Sequence, residues 1–504
     1  MRKRFIGSII SLILMVSLFL VACSSKEETT GSSTSDSSGN GEASENIELE
    51  IISGGNNLPA PEDDVIKQEL EKAIGAEVNL SVVSSEYDNQ LNVRLAAGDF
   101  PDLFAVNRQQ ILDFSKKGLL LDLTPHMEKI QSVVDFIGED NVTKAKVDDK
   151  VFAVTVPPQI PYNTYWIRKD WLDNLGIQAP TTVDELLAVA SAFTQDDPDG
   201  NGKNDTYGIT GGVLNAFQPI FGAYGVGMPG SFYLKDGELV NSFYDPAMKD
   251  ALSTIKKFIE SGVVDPEVVT NTALQHQQKA FQGQYGIIYI DWPNITKEVF
   301  VEQIKTVNPD AEWIQLRAPE GPAGYFDGTH DIGTAPRYYA IPKELEDDPA
   351  KLEKVFELLN YVSSDKGSKL VQYGVEGEHF NLEDGKVVPT DLLAEEGAYF
   401  WLYQFTGRPE MEYLKTKFAA QEEYIEYAAE QPRIEALNGF VDIPEGYNPA
   451  DATRYYEEEI IKFIYGERPL SEYEDFVATL ESTFNYQAML DAAEQQLTDK
   501  GLVK

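Results

Sequence analysis

The first regular pattern in the chain lies at 47–52, where apolar and polar residues alternate as they do in a half-buried strand. Apolar residues at helical spacing follow at 61–74, and a second strand pattern follows at 77–83. A helix at 87–97 and a turn leading into a third strand at 98–106 continue the series. Strands and helices that alternate at this pace predict an α/β fold with a largely parallel sheet. The ligand crevice of such a sheet lies at the carboxyl ends of its strands.

A second series of elements follows in the middle of the chain. A strand is predicted at 164–167, and the next helix begins at Lys169 and ends at Gly176. Another helix follows with Thr182 as its N-cap. Glu185 stands three positions later, and this spacing is the pattern of a capping box.

Prolines and helical periodicity organise the rest of the chain. Segment 154–162 contains three prolines and predicts an extended crossover between two parts of the molecule. Helical periodicity dominates the carboxyl-terminal part, so we predict a helix-rich region there. The predicted helices lie at 349–363, 411–429, 455–465, 473–480 and 486–497.

The charge balance limits the class of partner. The chain carries 83 acidic and 41 basic residues, which gives a net charge of −42. Such a field repels nucleic acid and keeps a secreted protein soluble, so we expect no nucleic-acid partner. The part of the chain from residue 47 onward is long enough for two or three domains of ordinary size.

The amino terminus has the pattern of a secretory signal. Basic residues at 2–4 precede an apolar run at 5–22, and Cys23 follows directly. The ending Leu-Val-Ala-Cys resembles the lipobox of bacterial lipoproteins, in which the signal peptide 1–22 is removed and the cysteine carries the lipid. Cys23 is the only cysteine in the sequence, which agrees with this interpretation, whereas an uncleaved membrane helix is the alternative. The Ser- and Gly-rich segment 23–46 predicts a flexible tether at the extracellular face of the cell membrane.

A short loop after the capped helix is rich in oxygen side chains. They stand at positions 1, 3, 5 and 9 of the loop, in Asp197, Asp199, Asn201 and Asp205. With Gly202 at position 6 and the carbonyl of Lys203 at position 7, the spacing matches most of an EF-hand-type calcium loop. The Glu expected at position 12 is missing, because Gly208 stands there. We predict a structural Ca²⁺ in this loop, and a plain Asp/Asn/Gly turn is the alternative.

Catalytic motifs are not evident in the sequence. The four histidines, His126, His276, His330 and His379, form no metal-ligand spacing, and neither a Gly-x-Ser-x-Gly elbow nor a phosphate-binding glycine loop occurs. A glycosidase needs two carboxylates across a cleft, but 83 acidic residues make any such pairing uninformative. We predict that the protein is not an enzyme, and a secreted polysaccharide-degrading enzyme is the alternative from another class.

Several segments resemble family 1 extracellular solute-binding proteins, the lipoproteins that deliver sugars and oligosaccharides to ABC importers. These segments are AAGDFPDLF at 96–104, GLLLDLT at 118–124, YWIRKDWLDNLG at 165–176, TTVDEL at 181–186, YGIIY at 285–289 and YGVEGEHF at 373–380. They cover essentially the whole body of the chain, in the family's order. The resemblance implies a two-lobe periplasmic-binding-protein-like fold with hinge crossings, a carbohydrate ligand, the permease subunits of an ABC importer as partners, and action as a monomer.

The resemblance also guides the expected boundaries and the metal ligands. The expected amino-terminal lobe comprises 47–162 and about 308–342, and the carboxyl-terminal lobe comprises about 163–307 and 343–504. The loop at 197–205 resembles the calcium site of long family members, including alginate-binding proteins. In those proteins a Glu follows the last Asp of the loop, whereas Thr206 stands at this position here. Thr206 is the candidate for the remaining ligand, and Asp196 or a water molecule is the alternative.

The predicted ligand contacts are aromatic platforms and polar side chains near strand ends. Trp292 follows an apolar strand and resembles the sugar-stacking tryptophan of the family, with hinge packing as the alternative. Trp401 lies in an aromatic cluster after a loop, where a core position is the alternative. Arg337 could clamp a carboxylate, with a surface salt bridge as the alternative. The other predicted ligand residues are Asn56, Asn57, Asn107, Arg108, Tyr162 and Trp166.

We therefore predict an extracellular, lipid-anchored protein that captures an oligosaccharide between two lobes for an ABC importer. Uronate-containing sugars stay open, because a strongly negative body disfavours a polyanion unless Arg108, Arg168 or Arg337 line the cleft. A peptide is the alternative ligand within the same class of protein.

Overall fold

The structure is a computed structural model that describes residues 47–272 and 274–503. The predicted signal peptide, the tether and Cys23 lie outside the described residues. Within the described part of the chain, no helix is both long and apolar enough to cross a membrane.

The described elements alternate between strands and helices along the chain. The strands are β1 (Glu48–Gly54), β2 (Glu77–Val83), β3 (Leu103–Val106), β4 (Lys146–Val147), β5 (Lys150–Val151), β6 (Val154–Val156), β7 (Asn163–Arg168), β8 (Tyr207–Thr210), β9 (Phe232–Lys235), β10 (Glu238–Asn241), β11 (Tyr285–Asp291), β12 (Trp313–Leu316), β13 (Thr329–Asp331), β14 (Arg337–Ala340), β15 (Phe380–Glu383), β16 (Lys386–Pro389) and β17 (Ile434–Ala436). The helices are α1 (Val65–Ile74), α2 (Tyr87–Ala96), α3 (Arg108–Lys116), α4 (Gln131–Ile137), α5 (Glu139–Thr143), α6 (Lys169–Leu175), α7 (Val183–Gln195), α8 (Gln218–Ala223), α9 (Ala247–Glu260), α10 (Gln275–Phe281), α11 (Pro293–Thr296), α12 (Glu298–Val307), α13 (Pro349–Ser363), α14 (Asp365–Tyr373), α15 (Asp391–Glu396), α16 (Glu410–Lys417), α17 (Glu422–Glu430), α18 (Pro449–Tyr465), α19 (Tyr473–Phe484) and α20 (Tyr486–Asp499).

The first sheet has five strands in the order β2–β1–β3–β14–β6. β1 runs parallel to β2 and β3, whereas β14 runs antiparallel to β3 and β6. Leu49 and Ile51 alternate with glutamates along β1 and are fully buried, as the pattern predicts. Helices α1 and α13 pack against each other, and α13 also packs on β1. We call this sheet with its helices, residues 47–156 and 337–417, the first lobe.

The second sheet has the order β12–β7–β11–β8 and is covered on both faces. Trp166 and Ile288 belong to one buried cluster and Tyr165 and Ile287 to another, which explains why these strands read as continuous apolar runs. A third sheet, β10–β9–β17–β13, shares the second of these clusters. We call both sheets with their helices, residues 163–331 and 434–503, the second lobe.

Three segments join the lobes. Residues 157–162 connect β6 to β7, residues 332–336 connect β13 to β14, and residues 418–433 connect α16 to β17. The first of these lies within the predicted crossover 154–162.

Strand pairing differs from the predicted lobe boundaries in two places. The expected amino-terminal segment 308–342 contributes only β14 to the first sheet, because β12 pairs with β7 and β13 pairs with β17. The expected carboxyl-terminal segment 343–504 contributes α13 and α14 to the first lobe, because both helices pack beside α1. The sheet that a strand joins depends on distant partners, and these leave no local pattern in the sequence.

Local predictions agree with the structure where a capping residue or a hydrophobic periodicity determines the bounds of the helix or strand. The strand at 77–83 and the helix at 349–363 have the predicted bounds. The Thr182 hydroxyl accepts a hydrogen bond from the Glu185 backbone as the predicted capping box requires, and Gly176 ends α6 with a φ of 65°.

Several predicted helices have different bounds: the one expected at 455–465 begins at Pro449, and the one expected at 473–480 ends at Phe484. The one expected at 61–74 begins at Val65, because the Asp64 side chain caps the Lys67 backbone N–H. The one expected at 411–429 is two helices, α16 and α17, with a 3₁₀ turn between them.

Candidate functional site

The connecting segments leave each of the two main sheets at one edge. In the first lobe β1 and β3 end at Gly54 and Val106, and the antiparallel strand β14 begins at the same edge with Arg337. In the second lobe β8 and β11 end at Thr210 and Asp291. The connection between β6 and β7 has six residues, which span at most about 20 Å when fully extended. Both edges therefore lie where the chain crosses between the lobes, and we call the space between them the crevice.

A cavity of about 600 Å³ lies at the carboxyl ends of β8 and β11, and we call it the second-lobe cavity. Asp291, His276 and Tyr456 contribute to its wall. Its asparagines are Asn163, Asn215, Asn271 and Asn294. Asn294 donates from Nδ2 to the Asp291 carboxylate at 2.6 Å, and Asn271 donates to the Gly211 carbonyl at 3.0 Å. These bonds hold planar amides at the sheet edge.

The second-lobe cavity has no fixed positive charge among its described lining residues. Burial lowers the pKa of the His276 imidazole, so this side chain is neutral at pH 7. Burial raises the pKa of the Asp291 carboxyl, and the hydrogen bond from Asn294 opposes that rise. The wall therefore combines neutral donors and acceptors with the carboxyl groups of Asp291 and Glu457.

A smaller cavity of about 300 Å³ lies at the edge of the first lobe where β6 ends and β14 begins, and we call it the first-lobe cavity. Arg337, Trp401, Gln404, Arg408 and Glu410 line it together with the start of the 157–162 connection. The Arg337 guanidinium lies 5.4 Å from the centre of the Trp401 ring. Arg408 pairs with the Glu410 carboxylate at 2.6 Å.

Local structure positions the two main side chains of the first-lobe cavity. Arg337 and Tyr339 alternate along β14 and point to the same face of the sheet. The Arg337 Nη1 donates to the Ser53 hydroxyl at 3.1 Å and to the Tyr339 hydroxyl at 3.3 Å. Trp401 belongs to the 3₁₀ turn Phe400–Tyr403, whose other three side chains are buried. The turn thus leaves Trp401 partly exposed at the crevice.

Of the sequence-predicted ligand residues, Trp401 and Arg337 lie together in the first-lobe cavity. Asn56 and Asn57 are exposed beyond the end of β1. The Asn107 side chain accepts a hydrogen bond from the Gln110 backbone as the N-cap of α3.

Two further predicted residues lie at the junction of the lobes. Both ends of the Arg108 fork contact the Asp442 carboxylate at 2.8 Å, so this arginine links the lobes. Tyr162 lies on the first connection and is half-buried.

The structure contradicts a ligand contact for two predicted tryptophans. Trp292 is 1% exposed and packs edge-to-face against Phe418 at 5.4 Å and Tyr162 at 6.4 Å. Trp166 is fully buried and packs on Tyr424 at 5.3 Å. Both indoles belong to the buried cluster under the connecting segments, so neither offers a face to a ligand.

Sequence reasoning did not predict the asparagine-rich wall of the second-lobe cavity. Asn294 stands three residues after the end of β11, and Asn163 begins β7 at the same edge. A strict search for polar residues at strand ends could have found these two. Asn215, Asn271 and Tyr456 come from loops and a helix that tertiary packing brings to this edge, and no local signal marks them.

The predicted calcium loop brings its carboxylates around one asparagine. The Asn201 amide donates to Asp199 at 2.8 Å and to Asp205 at 3.1 Å, and the Asp197 carboxylate accepts from the Asn201 and Gly202 backbone. Burial raises the pKa of Asp199, and the carboxylates of Asp197 and Asp205 raise it further. Within residues 47–272 and 274–503, no group of three or more His, Cys, Asp or Glu side chains is gathered closely enough to hold a metal ion.

Two details limit the ligand set of this loop. The Thr206 side chain is buried and donates to the Phe193 carbonyl at 2.7 Å, so the prediction that it is a metal ligand is wrong. At position 12, a Cβ on Gly208 would lie 2.5 Å from the Ala190 Cβ. Helix α7 therefore leaves no room for a Glu there. The oxygen groups of the loop that are of the kind Ca²⁺ prefers are three carboxylates, the Asn201 amide oxygen and the Lys203 carbonyl.

Comparison with known sequences identifies the family. The sequence profile of the bacterial extracellular solute-binding protein family matches residues 55–369, which is more than half of the chain. The chain belongs to this family. The resemblance noted from the sequence is thus confirmed.

Curated relatives of this solute-binding protein include three bacterial proteins. The chain is 27% identical over 344 residues to the polygalacturonan/rhamnogalacturonan-binding protein YtcQ of Bacillus subtilis, with 65% of each chain covered. It is 26% identical over 330 residues to lipoprotein LipO of the same organism, with 63% of this chain and 64% of LipO covered. It is 24% identical over 253 residues to the fructooligosaccharide ABC transporter substrate-binding protein FusA of Streptococcus pneumoniae, with 46% and 47% covered. The matches therefore span less than two-thirds of the length of these relatives.

Solved structures support the fold over most of the chain. FusA in complex with kestose has a TM-score of 0.71 at 19% identity and covers 90% of this chain and 99% of its own. Alginate-binding protein AlgQ2 without calcium ion has a TM-score of 0.68 at 18% identity, with 90% and 98% covered. The predicted two-lobe periplasmic-binding-protein-like fold with a helix-rich carboxyl-terminal region is confirmed.

Proposed function

We propose that this solute-binding protein captures an oligosaccharide between its two lobes and delivers it to an ABC importer. One observation supports the proposal: each of the two cavities lies at the sheet edge from which the chain crosses to the other lobe. Open α/β sheets bind ligands at these carboxyl ends. A ligand with several sugar units could occupy both cavities at once.

The side chains of the crevice suit saccharides better than peptides. Planar amides such as Asn163 and Asn294 donate to and accept from sugar hydroxyls. The exposed faces of Trp401 and Tyr456 offer platforms for the C–H faces of sugar rings. The names of YtcQ and FusA state saccharide ligands, which also favours a sugar over the alternative, a peptide.

The connecting segments give the two lobes a means to close on the ligand. A ligand shifts a two-state equilibrium only by the difference in its contacts with the two states. An oligosaccharide that touches both cavities makes its full set of contacts only when the lobes approach each other. We propose 157–162, 332–336 and 418–433 as the hinge, and the closed form as the one that the permease recognises.

We propose that capture involves no chemistry on the ligand. The family and the similar structures are solute-binding proteins rather than enzymes. In the second-lobe cavity, Asn294 donates a hydrogen bond to the Asp291 carboxylate. In the first-lobe cavity, Arg408 pairs with the Glu410 carboxylate. A polysaccharide-degrading enzyme is the alternative that the binding experiment must test.

Binding is tested by isothermal titration of the full chain, purified in detergent, with neutral, uronate-containing and peptide ligands. We expect saturable binding of a saccharide, a ligand-dependent rise in melting temperature and no new reducing ends after long incubation. New reducing ends or unsaturated products would make the protein an enzyme. Binding of peptides alone would make it a peptide carrier.

We also propose that the loop 197–205 binds a structural Ca²⁺. Its carboxylates and carbonyls are the hard oxygen donors that Ca²⁺ prefers, and waters can complete the coordination that Thr206 and Gly208 do not supply. We expect EDTA to lower the melting temperature and Ca²⁺ to restore it, while Asp199→Asn abolishes the response. An unchanged melting temperature with EDTA would mean that the loop is a turn only.

We further propose that Cys23 carries the lipid that holds the chain at the cell surface, with 23–46 as the tether. The spacing of the amino-terminal signal supports the proposal, and one curated relative is a lipoprotein. Mass spectrometry of the amino-terminal peptide tests it. We expect a diacylglyceryl mass on Cys23, and release of Cys23→Ser into the medium or its retention as an unprocessed precursor. An unmodified, membrane-bound chain that retains residues 1–22 would favour the uncleaved helix.

A further inference from the structure

Arg337 differs from the other arginines of the described chain in its charge partners. Eight of the nine described arginines have a carboxylate oxygen within 4.0 Å of a guanidinium nitrogen. They are Arg94, Arg108, Arg168, Arg317, Arg408, Arg433, Arg454 and Arg468. Arg337 has none among the described residues. In a chain with 83 acidic and 41 basic residues, this arginine departs from the pattern of the other eight.

The donor pattern of Arg337 leaves one edge of the guanidinium open. Nη1 donates to two neutral hydroxyls, those of Ser53 and Tyr339, and neither Nε nor Nη2 has a described partner. Nε and Nη2 form the edge that binds a carboxylate with two parallel hydrogen bonds. The same protein uses this edge elsewhere: Arg108 binds Asp442 through Nε and Nη2, and Arg408 binds Glu410 in the same way.

The surroundings of Arg337 match a ligand carboxylate in place and in charge. The side chain lies at the crevice edge of the first lobe, with its guanidinium beside the partly exposed Trp401 ring. The other cation of the cavity, Arg408, already has its Nε and Nη2 edge occupied by Glu410. Arg337 is therefore the uncompensated charge of the first-lobe cavity, and it is held in place by the two hydroxyls that it contacts.

We propose that the ligand is an acidic oligosaccharide, one unit of which carries a carboxylate that Arg337 binds through its Nε and Nη2 edge. The ring of that hexuronate unit packs on Trp401, and the following units extend toward the neutral asparagines of the second-lobe cavity. The inference rests on the proposed function, because it names the class of saccharide that the crevice takes. A planar carboxylate and a planar guanidinium fit each other, whereas a neutral hydroxymethyl group would leave the charged edge without a counterion.

Matched ligand pairs test the inference directly. The full chain is titrated with trimers of galacturonate, mannuronate, guluronate and glucuronate and with the same trimers after reduction of each carboxylate to a hydroxymethyl group. We expect at least one uronate trimer to bind about 10- to 100-fold more tightly than its reduced form, since hydrogen bonds between charged groups are the strong ones.

The outcomes separate this inference from the proposed function. A neutral trimer or a neutral fructo-oligosaccharide that binds as tightly as every uronate would overturn the acidic class and leave saccharide capture intact. No binding of any saccharide would overturn both. Binding of a uronate with no preference over its reduced form would mean that the carboxylate does not reach Arg337.

Variants assign the preference to this side chain. Arg337→Met is expected to bind the uronate and its reduced form equally, and Arg337→Lys to keep part of the preference, because it retains charge without the fork. Arg94→Met is the control, since it removes one positive charge from the same lobe near the other end of β1, where Arg94 pairs with Glu50. If a folded Arg337→Met keeps the preference for the uronate, or if Arg337→Lys keeps it at full strength, the carboxylate is not bound by the Arg337 fork.

Discussion

The two cavities of the crevice have similar positions and different chemistry. Each lies at the carboxyl edge of a sheet, but the second-lobe cavity presents four asparagines and a neutral His276, whereas the first-lobe cavity presents Arg337 beside Trp401. Neutral amides recognise hydroxyls wherever they occur on a sugar. A guanidinium with an open fork recognises a planar anion and little else. The difference predicts that one lobe sets affinity for saccharides in general and the other sets selectivity for charge.

The comparison also distinguishes the position of each cavity in the fold from the side chains that line it. The first lobe and the second lobe share the same kind of sheet edge, so the fold alone does not distinguish a neutral ligand from an acidic one. The side chains at those edges make the distinction. Substitutions in one cavity should therefore change total affinity, and substitutions in the other should change the ratio of affinities for matched ligands.

The largest expected effect is the loss of the aromatic platform. Trp401→Ala should weaken binding of every saccharide by about 30-fold, which corresponds to about 2 kcal/mol, because a central aromatic contact is typical of a binding hot spot. Trp401→Phe should retain most of the affinity. Isothermal titration gives both values, and an unchanged dissociation constant for Trp401→Ala would remove Trp401 from the site.

Trp292→Phe is the matched control for that prediction. Since Trp292 is buried against Phe418 and Tyr162, the substitution should lower the melting temperature and leave the dissociation constant unchanged. A large loss of affinity at an unchanged melting temperature would restore the ligand contact that the sequence predicted for Trp292.

The next largest effect is expected in the second-lobe cavity. Asn294→Ala should weaken binding by about 10-fold, since it removes an amide that fixes Asp291 and faces the ligand. The loss should be the same for a uronate trimer and its carboxyl-reduced form, because this cavity carries no fixed positive charge. Asn381→Ala, in the exposed β15–β16 hairpin, is the control and should change neither value. A loss confined to the uronate would mean that the division of roles between the lobes is wrong.

A smaller effect is expected at the ion pair between the lobes. The Arg108 and Asp442 side chains are 22% and 25% exposed and form a two-pronged bond, so their coupling energy should be about 1 kcal/mol. A double-mutant cycle of Arg108→Met and Asp442→Asn, followed by urea unfolding, measures it. Arg108→Met should leave the ratio of uronate to neutral affinity unchanged, because its fork is occupied. A lost preference would assign the ligand carboxylate to Arg108 instead of Arg337.

The sequence predicts local features of this molecule well, because caps and periods act over a few residues. The capping box of Thr182 and Glu185 and the strand at 77–83 are examples. Features that depend on distant partners were not predictable in the same way. Trp292 and Trp401 look alike in sequence, yet Phe418 from another part of the chain covers only the first.

The candidate site shows the same limit. Arg337 could be singled out from its place before a strand, but the absence of a described carboxylate partner is a property of the folded chain. The asparagines of the second-lobe cavity come from four separate segments, and only the fold brings them together. The lobe boundaries failed for the same reason, since β12 pairs with a strand that lies far earlier in the chain.

The smallest expected effect is the change in stability with pH that His276 of the second-lobe cavity causes. Burial lowers the folded-state pKa of His276 below its ordinary value of about 6.5, so the unfolded chain binds this proton more readily than the folded one. The stability contributed by neutral His276 is therefore present above pH 6.5 and decreases as the pH falls below it. Between pH 6.5 and 8 the dissociation constant of a neutral ligand should stay constant, because His276 stays neutral. Burial raises the pKa of the Glu410 carboxyl in the first-lobe cavity to about 7, so ionisation of this carboxyl over the same range should weaken the binding of a uronate. Below pH 6.5 the wild-type melting temperature should fall about 1–2 °C further than that of His276→Gln, a small shift because unfolding of a large domain has a large entropy. A tenfold change in the dissociation constant of a neutral ligand between pH 6.5 and 8 would mean that a titrating group governs the binding of neutral sugars as well.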